Sequence, residues 1–261
     1  MTIGICIYSR MITGYHLSFD APSATSVGMC ISHSVLPKEN WLALHQVDAH
    51  WPVFGVMDAI HVDNGADFRS KALRRACEVH GITIDYRPIK KPRFGGHVER
   101  FFKTINDEIH DLPGSTYSNV QQKGEYNSEK EACMTLEEMD TWVVTWICNV
   151  YHQAVHSKLG LSPYKKWEIG VLGNATTSGA GVRPLPQNRI NFQIDFLPGF
   201  ERTIQRTGVE IDRIRYYSDT LRRWVNALDP DKPDRKRKFR FKRDPRNVSV
   251  CLLYTSPSPR D

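Results

Sequence analysis

Two carboxylates stand where chemistry is plausible. Asp63 closes the short apolar run Ile60-His61-Val62 and is followed at once by Asn64-Gly65. Glu99 comes thirty-five intervening residues later, within Gly96-His97-Val98-Glu99-Arg100-Phe101-Phe102. An acid at a strand end and an acid in the first turn of a helix can converge on one point, and hard divalent cations demand such anionic oxygens. Phosphoryl-transfer sites with two ions about 3.5 to 4 Å apart draw their carboxylates from several elements in this way. Glu99 sits about 100° round the helix from Val98, off the apolar stripe and free to face a site. A plainer reading stays open for each residue: Asn-Gly after alternating apolar residues signals a tight turn, and a pair of acids is common in any sequence.

The elements that must position these acids alternate in type. Residues 2–8 and 11–18 read as paired strands rich in Ile, Tyr and Thr. Ala21-Pro22-Ser23 opens a helix through Val35, stopped before Pro37. Residues 57–63 form a third strand. A helix over Ser70 to His80 carries Leu73, Cys77 and His80 on one side and ends at Gly81, and Ile82 to Tyr86 is again a strand. The loop from Pro88 to Gly96 leads to a helix whose stripe is Val98, Phe101, Phe102, Ile105 and Ile109. A further helix starts at Thr135, whose spacing to Glu138 is a capping box, with the stripe Met139, Trp142, Val143, Trp146, Ile147 and Val150. Strands alternating with helices indicate an α/β domain over residues 1–170.

Residues 171–188 gather Gly, Ser, Thr and Pro and read as a linker. Beyond it, strand candidates at 189–195, 202–206, 208–216 and 238–250 suggest a small all-β barrel over 189–250. Charge follows the same division. Residues 201–250 hold 15 Lys and Arg against 8 Asp and Glu, so this segment carries almost all of the net charge of +6. Arg235-Lys236-Arg237-Lys238 fits either a solvated face or a phosphate-backbone footprint.

The 261 residues suffice for one large domain or two smaller ones. No apolar run approaches the length of a membrane span. Cysteines at 6, 30, 77, 133, 148 and 251 form no CxxC pair, which points to reduced thiols in an intracellular protein. Cys148, His152 and His156 fall at helical spacing, but without a fourth ligand nearby they read as packing.

These residues together resemble the DDE transposase and retroviral-integrase superfamily, in particular the phage Mu-type transposases. Asp63-Asn64-Gly65 and Gly96-His97-Val98-Glu99-Arg100 resemble the second and third acids of its D,D-35-E pattern. Flanking matches are Tyr8-Ser9-Arg10 with Gly14, Trp51-Pro52, Phe68, Leu112-Pro113-Gly114, and Tyr151-His152 with His156 before Ser162-Pro163. After the linker, Arg206-Thr207-Gly208, Tyr216-Tyr217-Ser218 and Arg243-Asp244-Pro245 resemble the β-barrel that follows the catalytic core in this group.

The resemblance implies an RNase H-like core that binds Mg²⁺ or Mn²⁺, two ions in the intact enzyme, through Asp63 and Glu99. It implies nicking of transposon ends and transfer of each 3′-hydroxyl into target DNA. Lys103, one turn after Glu99, matches a basic residue that contacts terminal DNA in integrases; the plainer reading is an i,i+4 Glu-Lys pair. Lys90, Lys91 and Arg93 are further phosphate contacts by this reading; His97 and Arg100 adjoin the acid. The expected partners are transposon-end and target DNA, further copies of the chain assembled on DNA, and an AAA+ ATPase. The expected location is the bacterial cytoplasm, at the nucleoid.

The family's first aspartate has no counterpart here. Residues 2–8 match the family's second strand, so the opening strand is expected upstream of Met1, and Cys6 stands where the family often has another Asp. Residues 251–261, CLLYTSPSPRD, resemble translated sequencing-library adapter. The chain is thus expected to be an inactive fragment with two carboxylates of three. Two other classes are kept beside the enzyme: a non-catalytic DNA-binding or assembly module, and an RNase H-like nuclease without strand transfer.

Overall fold

The computed structural model describes residues 1–88, 96–110, 112 and 134–254. Two units divide the chain, Met1–Phe192 and Gln193–Asp261.

The first unit is mixed α/β. Strand β1 (Thr2–Ile5) pairs antiparallel with β2 (Ile12–His16). Helix α1 (Ala24–Val35) starts directly after Ser23, which caps it: the Ser23 side chain accepts from Ser26 N while the Ser26 hydroxyl accepts from Ser23 N. This helix lies so close to β2 that a Cβ on Gly14 would come within 2.5 Å of Ser34 N. The glycine in the Tyr8-to-Gly14 motif is therefore a packing requirement.

Helix α2 (Glu39–Leu44) follows, and between the two helices Lys38 is fully buried. Its ammonium donates to Ser34 O at 2.9 Å, Leu36 O at 2.9 Å and Val53 O at 2.5 Å, tying the end of α1 to the Trp51–Val53 segment. Burial lowers the Lys38 pKa to about 7, while the three carbonyls favour the charged form.

Strand β3 (Ala59–Val62) pairs in parallel with β4 (Thr83–Tyr86) across helix α3 (Lys71–Val79). Helix α4 (Gly96–Ile109) buries Phe101 and Ile105 completely, with Phe102 and Ile109 packed against the same core. That core adds Met11, Ile12, Tyr15, Trp51 and the inner face of α5 (Leu136–Trp146). The Thr135–Glu138 capping box is formed, Glu138 N reaching Thr135 Oγ1 at 3.2 Å and Thr135 N reaching Glu138 Oε2 at 2.7 Å. One expected core position is displaced. A π-helical turn over Ile147–Tyr151 shifts the phase of the stripe, so Ile147 and Cys148 point inward and Val150 is 48% exposed.

The segment 171–188 is more ordered than a plain linker. Val171 and Leu172 complete helix α6 (Pro163–Leu172), and Gly173, at φ +82°, ends it. Strands β5 (Gly173–Asn174) and β6 (Thr177–Ser178) form a small hairpin, in which Asn174 Oδ1 accepts from Thr176 N and Thr177 N. Val56 N donates to Pro184 O at 2.9 Å, so the segment returns to the first unit.

Residues 189–195 are helix, not strand. Their alternation of Ile190, Phe192, Ile194 and Phe196 matches a period of two, yet Asn188 Oδ1 accepts from Asn191 N and caps α7 (Arg189–Phe196). The buried pair is Phe192 with Phe196, one helical turn apart, and Ile190 is 70% exposed.

In the second unit β12 (Phe239–Asp244) lies between β7 (Gly199–Arg202) and β13 (Asn247–Tyr254) in an antiparallel sheet. Candidate strand 208–216 is a hairpin, β8 (Val209–Ile211) and β9 (Ile214–Tyr216), turned at Asp212 and Arg213 with φ +51° and +64°. Strands β10 (Leu228–Asp229) and β11 (Lys232–Lys236) make a second hairpin. Among the described residues these pairings form one three-stranded sheet and two separate hairpins, without the closed ring of a barrel. Their shared core is Ile204, Val209, Ile211, Leu221, Phe239 and Phe241. Strand β13 runs past Val250 to Tyr254, with Cys251 opposite Arg243; residues 255–261 lie outside the described residues. No described helix is long and apolar enough to cross a membrane.

Candidate active site

Asp63 leaves the end of β3 and folds back on the turn that follows. Its Oδ1 accepts from Gly65 N at 2.8 Å, an Asx turn. Neither Asn64 nor Gly65 adopts positive φ; Gly65 sits at φ −56°, ψ 149° and leads into a 3₁₀ turn over Ala66–Arg69. The tight-turn signal is therefore met by a side chain instead of by left-handed backbone. A Cβ on Gly65 would stand 2.8 Å from Asp63 Oδ1, so glycine keeps that carboxylate position clear.

The surrounding bonds hold the two strand ends together. Arg87 N donates to Val62 O, Asn64 Nδ2 to Arg87 O at 2.9 Å, and Tyr86 Oη to Phe68 O at 2.8 Å. Phe68, one of the flanking matches, thus contributes its carbonyl to the turn. Asp63 itself is exposed.

Glu99 lies in the first turn of α4 and is exposed, and Lys103 is exposed one turn further on. No ion pair links Glu99 to Lys103 among the described residues. Lys90, Lys91 and Arg93 lie outside the described residues, as does the whole segment 89–95. Among the described residues no three His, Cys, Asp or Glu side chains gather as a metal-holding group.

The helical triplet of Cys148, His152 and His156 is spread over different roles. His152 is fully buried, and its Nε2 accepts from Ile12 N at 3.1 Å, so that lone pair is used. Burial lowers its pKa to about 3. Cys148 is buried in the core, where desolvation pushes its thiol up to about 12. The five described cysteines are all free thiols.

Positive charge acts on His97, in the first turn of α4, from parts of the chain that linear spacing does not connect. Arg10, at φ +66° in the β1–β2 turn, donates to Ile7 O. His97 and Arg100 stand on the first turn of α4, and His156 and Lys158 on the loop after the π turn. The proton affinity of His97 is lowered by burial and then by Arg10, Arg100, Lys158 and His156; that of His156 is lowered by burial and then chiefly by Arg10 and Arg100. Tyr8, in the same turn as Arg10, takes the Lys166 ammonium over its ring at 4.4 Å.

Comparison with known proteins bears on the chain in two places. The family profile described as "TnsB C-terminal domain" matches residues 1–114, and "Mu transposase, C-terminal" matches residues 194–255. The chain is 28% identical over 168 residues to the "Transposase for transposon Tn552" of Staphylococcus aureus, covering 64% of this chain and 32% of that protein. It is 22% identical over 231 residues to the "Transposon Tn7 transposition protein TnsB" of Escherichia coli, covering 83% and 32%. The chain therefore spans about a third of the length of these relatives.

Among solved structures, a chain of a simian T-cell lymphotropic virus intasome complex aligns at TM-score 0.41, with 12% identity, over 99% of this chain and 72% of its own. The catalytic core domain of BIV integrase aligns at TM-score 0.32, with 19% identity, over 63% and 90%. Two transposase profiles are thus matched in succession along one sequence, and over most of its length the chain is similar to proteins of DNA transposition.

Proposed function

We propose that this chain is the catalytic core and C-terminal module of a DNA transposase that nicks transposon ends and joins their 3′-hydroxyls to target DNA. The observation that carries the reading is the placement of Asp63 at the end of β3 and Glu99 in the first turn of α4, with thirty-five residues between them, within the segment that matches a transposase profile. The core is read as RNase H-like and the C-terminal module as the barrel-type domain of Mu transposases.

Both residues offer only hard oxygen donors, which suit Mg²⁺ or Mn²⁺. The Asx turn fixes Asp63 through Oδ1 and leaves Oδ2 to face a ligand. Asp63 and Glu99 would be the second and third acids of a set of three holding two ions. Such ions, when bound, lower the barrier by polarising the attacking hydroxyl and the leaving oxygen. The chain's own residues orient the DNA: Lys103 one turn from Glu99, Lys90, Lys91 and Arg93 in the preceding segment of sequence, and the basic strands of the second unit, where every residue of Lys232–Lys236 is exposed. Partners by this reading are transposon-end and target DNA, further copies of the chain, and an AAA+ ATPase regulator, in the bacterial cytoplasm.

A second reading is supported by one observation. The 15 Lys and Arg against 8 Asp and Glu in residues 201–250 favour a DNA-binding or assembly module. The test is a strand-transfer assay with the complete gene product, pre-cut transposon ends and a target plasmid in Mg²⁺. Joined product is expected. Cleavage without joining would point to an RNase H-like nuclease, and binding with neither would point to the module.

A further inference from the structure

Among the described residues β3 and β4 pair only with each other, and a two-stranded parallel pair is marginally stable by itself. The strand that leads to Asp63 therefore depends on what holds its ends. At the end near Asp63, Arg87 N donates to Val62 O; at the other, Thr83 N donates to Asp58 O at 2.9 Å. The side chain of the same Asp58 forms an ion pair with Arg183, 125 residues further along the chain.

Backbone contacts lay the segment around Arg183 against residues 55–58. Val56 N donates to Pro184 O at 2.9 Å. Gly55 stands at φ +99°, and a Cβ there would come within 2.5 Å of Arg183 O and 2.6 Å of Arg183 Cβ. Gly55 N in turn donates to Val35 O at 2.9 Å, which fixes the crossing point on the end of α1. The segment is fastened on both sides of this crossing. Before it, Ala180 N donates to Gly170 O at 2.8 Å and Gly181 N to Val171 O at 3.0 Å, on helix α6. After it, the fully buried Phe192 ring lies against His80, just past the end of α3, with centroids 4.6 Å apart. The segment thus touches both the residues that lead into β3 and the helix that joins β3 to β4.

We propose that residues 180–192 form a strap that positions β3, with Arg183 and Pro184 as positioning residues for Asp63 at the far end of the strand. The consequence for strand joining rests on the transposase reading above; the strap itself does not. A catalytic carboxylate must be held within about 0.5 Å of its productive place, so a loosened strand lowers the rate before it lowers DNA affinity.

The test is amide hydrogen exchange, read by mass spectrometry on the 261-residue chain. Arg183→Asp sets two carboxylates against each other where the side chains are 52% and 71% exposed, so the variant should fold as the parent does. Exchange in residues 59–62 and 83–86 should rise roughly fivefold, and the charge-swapped pair Asp58→Arg with Arg183→Asp should bring it back. Gly55→Ala, which drives a methyl into Arg183, should raise it further; Gly160→Ala, at φ +66° with open space around its Cβ, should leave it unchanged. Faster exchange confined to residues 180–186, with β3 and β4 as protected as in the parent, would overturn the strap. In the complete protein, Arg183→Asp should slow the turnover of joining about threefold to tenfold, with the DNA concentration at half-maximal rate unchanged, and the charge-swapped pair should restore it. A looser β3 without slower joining would remove the link to Asp63 and overturn the proposal. A complete protein that joins nothing, with β3 protected through Arg183, would instead remove the transposase reading and uphold the strap.

Discussion

Asp63→Asn and Glu99→Gln, each made in the complete protein, are expected to abolish strand joining, by roughly a thousandfold or more, since metal-held charge contributes several kcal/mol to such barriers. DNA affinity should stay within about twofold, because neither acid is a phosphate contact. The Asp63 substitution separates the two roles that its surroundings allow. Asparagine retains an Oδ1 that accepts from Gly65 N, so the Asx turn seen at 2.8 Å survives. If Asp63 served only the turn, Asp63→Asn would be nearly silent. Loss of joining with an unchanged fold, measured by product formation alongside thermal unfolding, assigns the carboxylate charge to catalysis. Glu99 has no structural bond among the described residues that glutamine would break, so its variant should fold equally well.

Acid should destabilise the first unit through His152. Its side chain is fully buried, and burial lowers its pKa to about 3 from an ordinary 6.5. Protonating Nε2 would also set a donor against the Ile12 N–H that it now accepts. The folded state thus resists a proton that the unfolded chain takes up below pH 6.5. The contribution to stability is complete above pH 6.5 and is lost as pH falls toward 3, with a cost of roughly 2 kcal/mol at pH 5 and about 4 to 5 kcal/mol at pH 3. Urea unfolding midpoints at pH 7 and pH 5 measure it. His152→Gln keeps an acceptor for Ile12 N–H and should flatten the pH dependence between those values; an equal slope in the variant would place the titration elsewhere.

The parts of the fold legible in the sequence were those set by local rules. The helix over Gly96–Ile109 announced itself through a stripe that buries Phe101 and Ile105, and the Thr135–Glu138 box formed as its spacing requires. Local rules failed where two of them competed. Ile190 to Phe196 satisfied a strand period and a helical pair at once, and the Asn188 cap decided for helix. The π turn at Ile147–Tyr151 moved Val150 out of a correctly read stripe, since one extra residue changes the phase. Barrel closure depends on pairings between distant strands, which alternation of residues does not encode.

The candidate site divides in the same way. The places of Asp63 after a strand and of Glu99 in a first helical turn were legible because strand end, helix start and spacing are all linear features. The action of Arg10, Lys158 and His156 on His97 was not, because it depends on tertiary contacts between distant parts of the chain. The Tyr8-Ser9-Arg10 motif was visible as a match to a family; what it touches was not.

The most direct test of the account is whether Asp63 holds a metal ion during joining. Asp63→Cys, made in the complete protein, replaces a hard carboxylate with a thiol that Mg²⁺ binds poorly and the softer Mn²⁺ tolerates better. Strand transfer by this variant should be absent in Mg²⁺ and return in Mn²⁺, while Asp63→Ala stays inactive in both. Equal joining by Asp63→Cys in the two metals would contradict the assignment of Asp63 as a metal ligand, and with it the proposed active site.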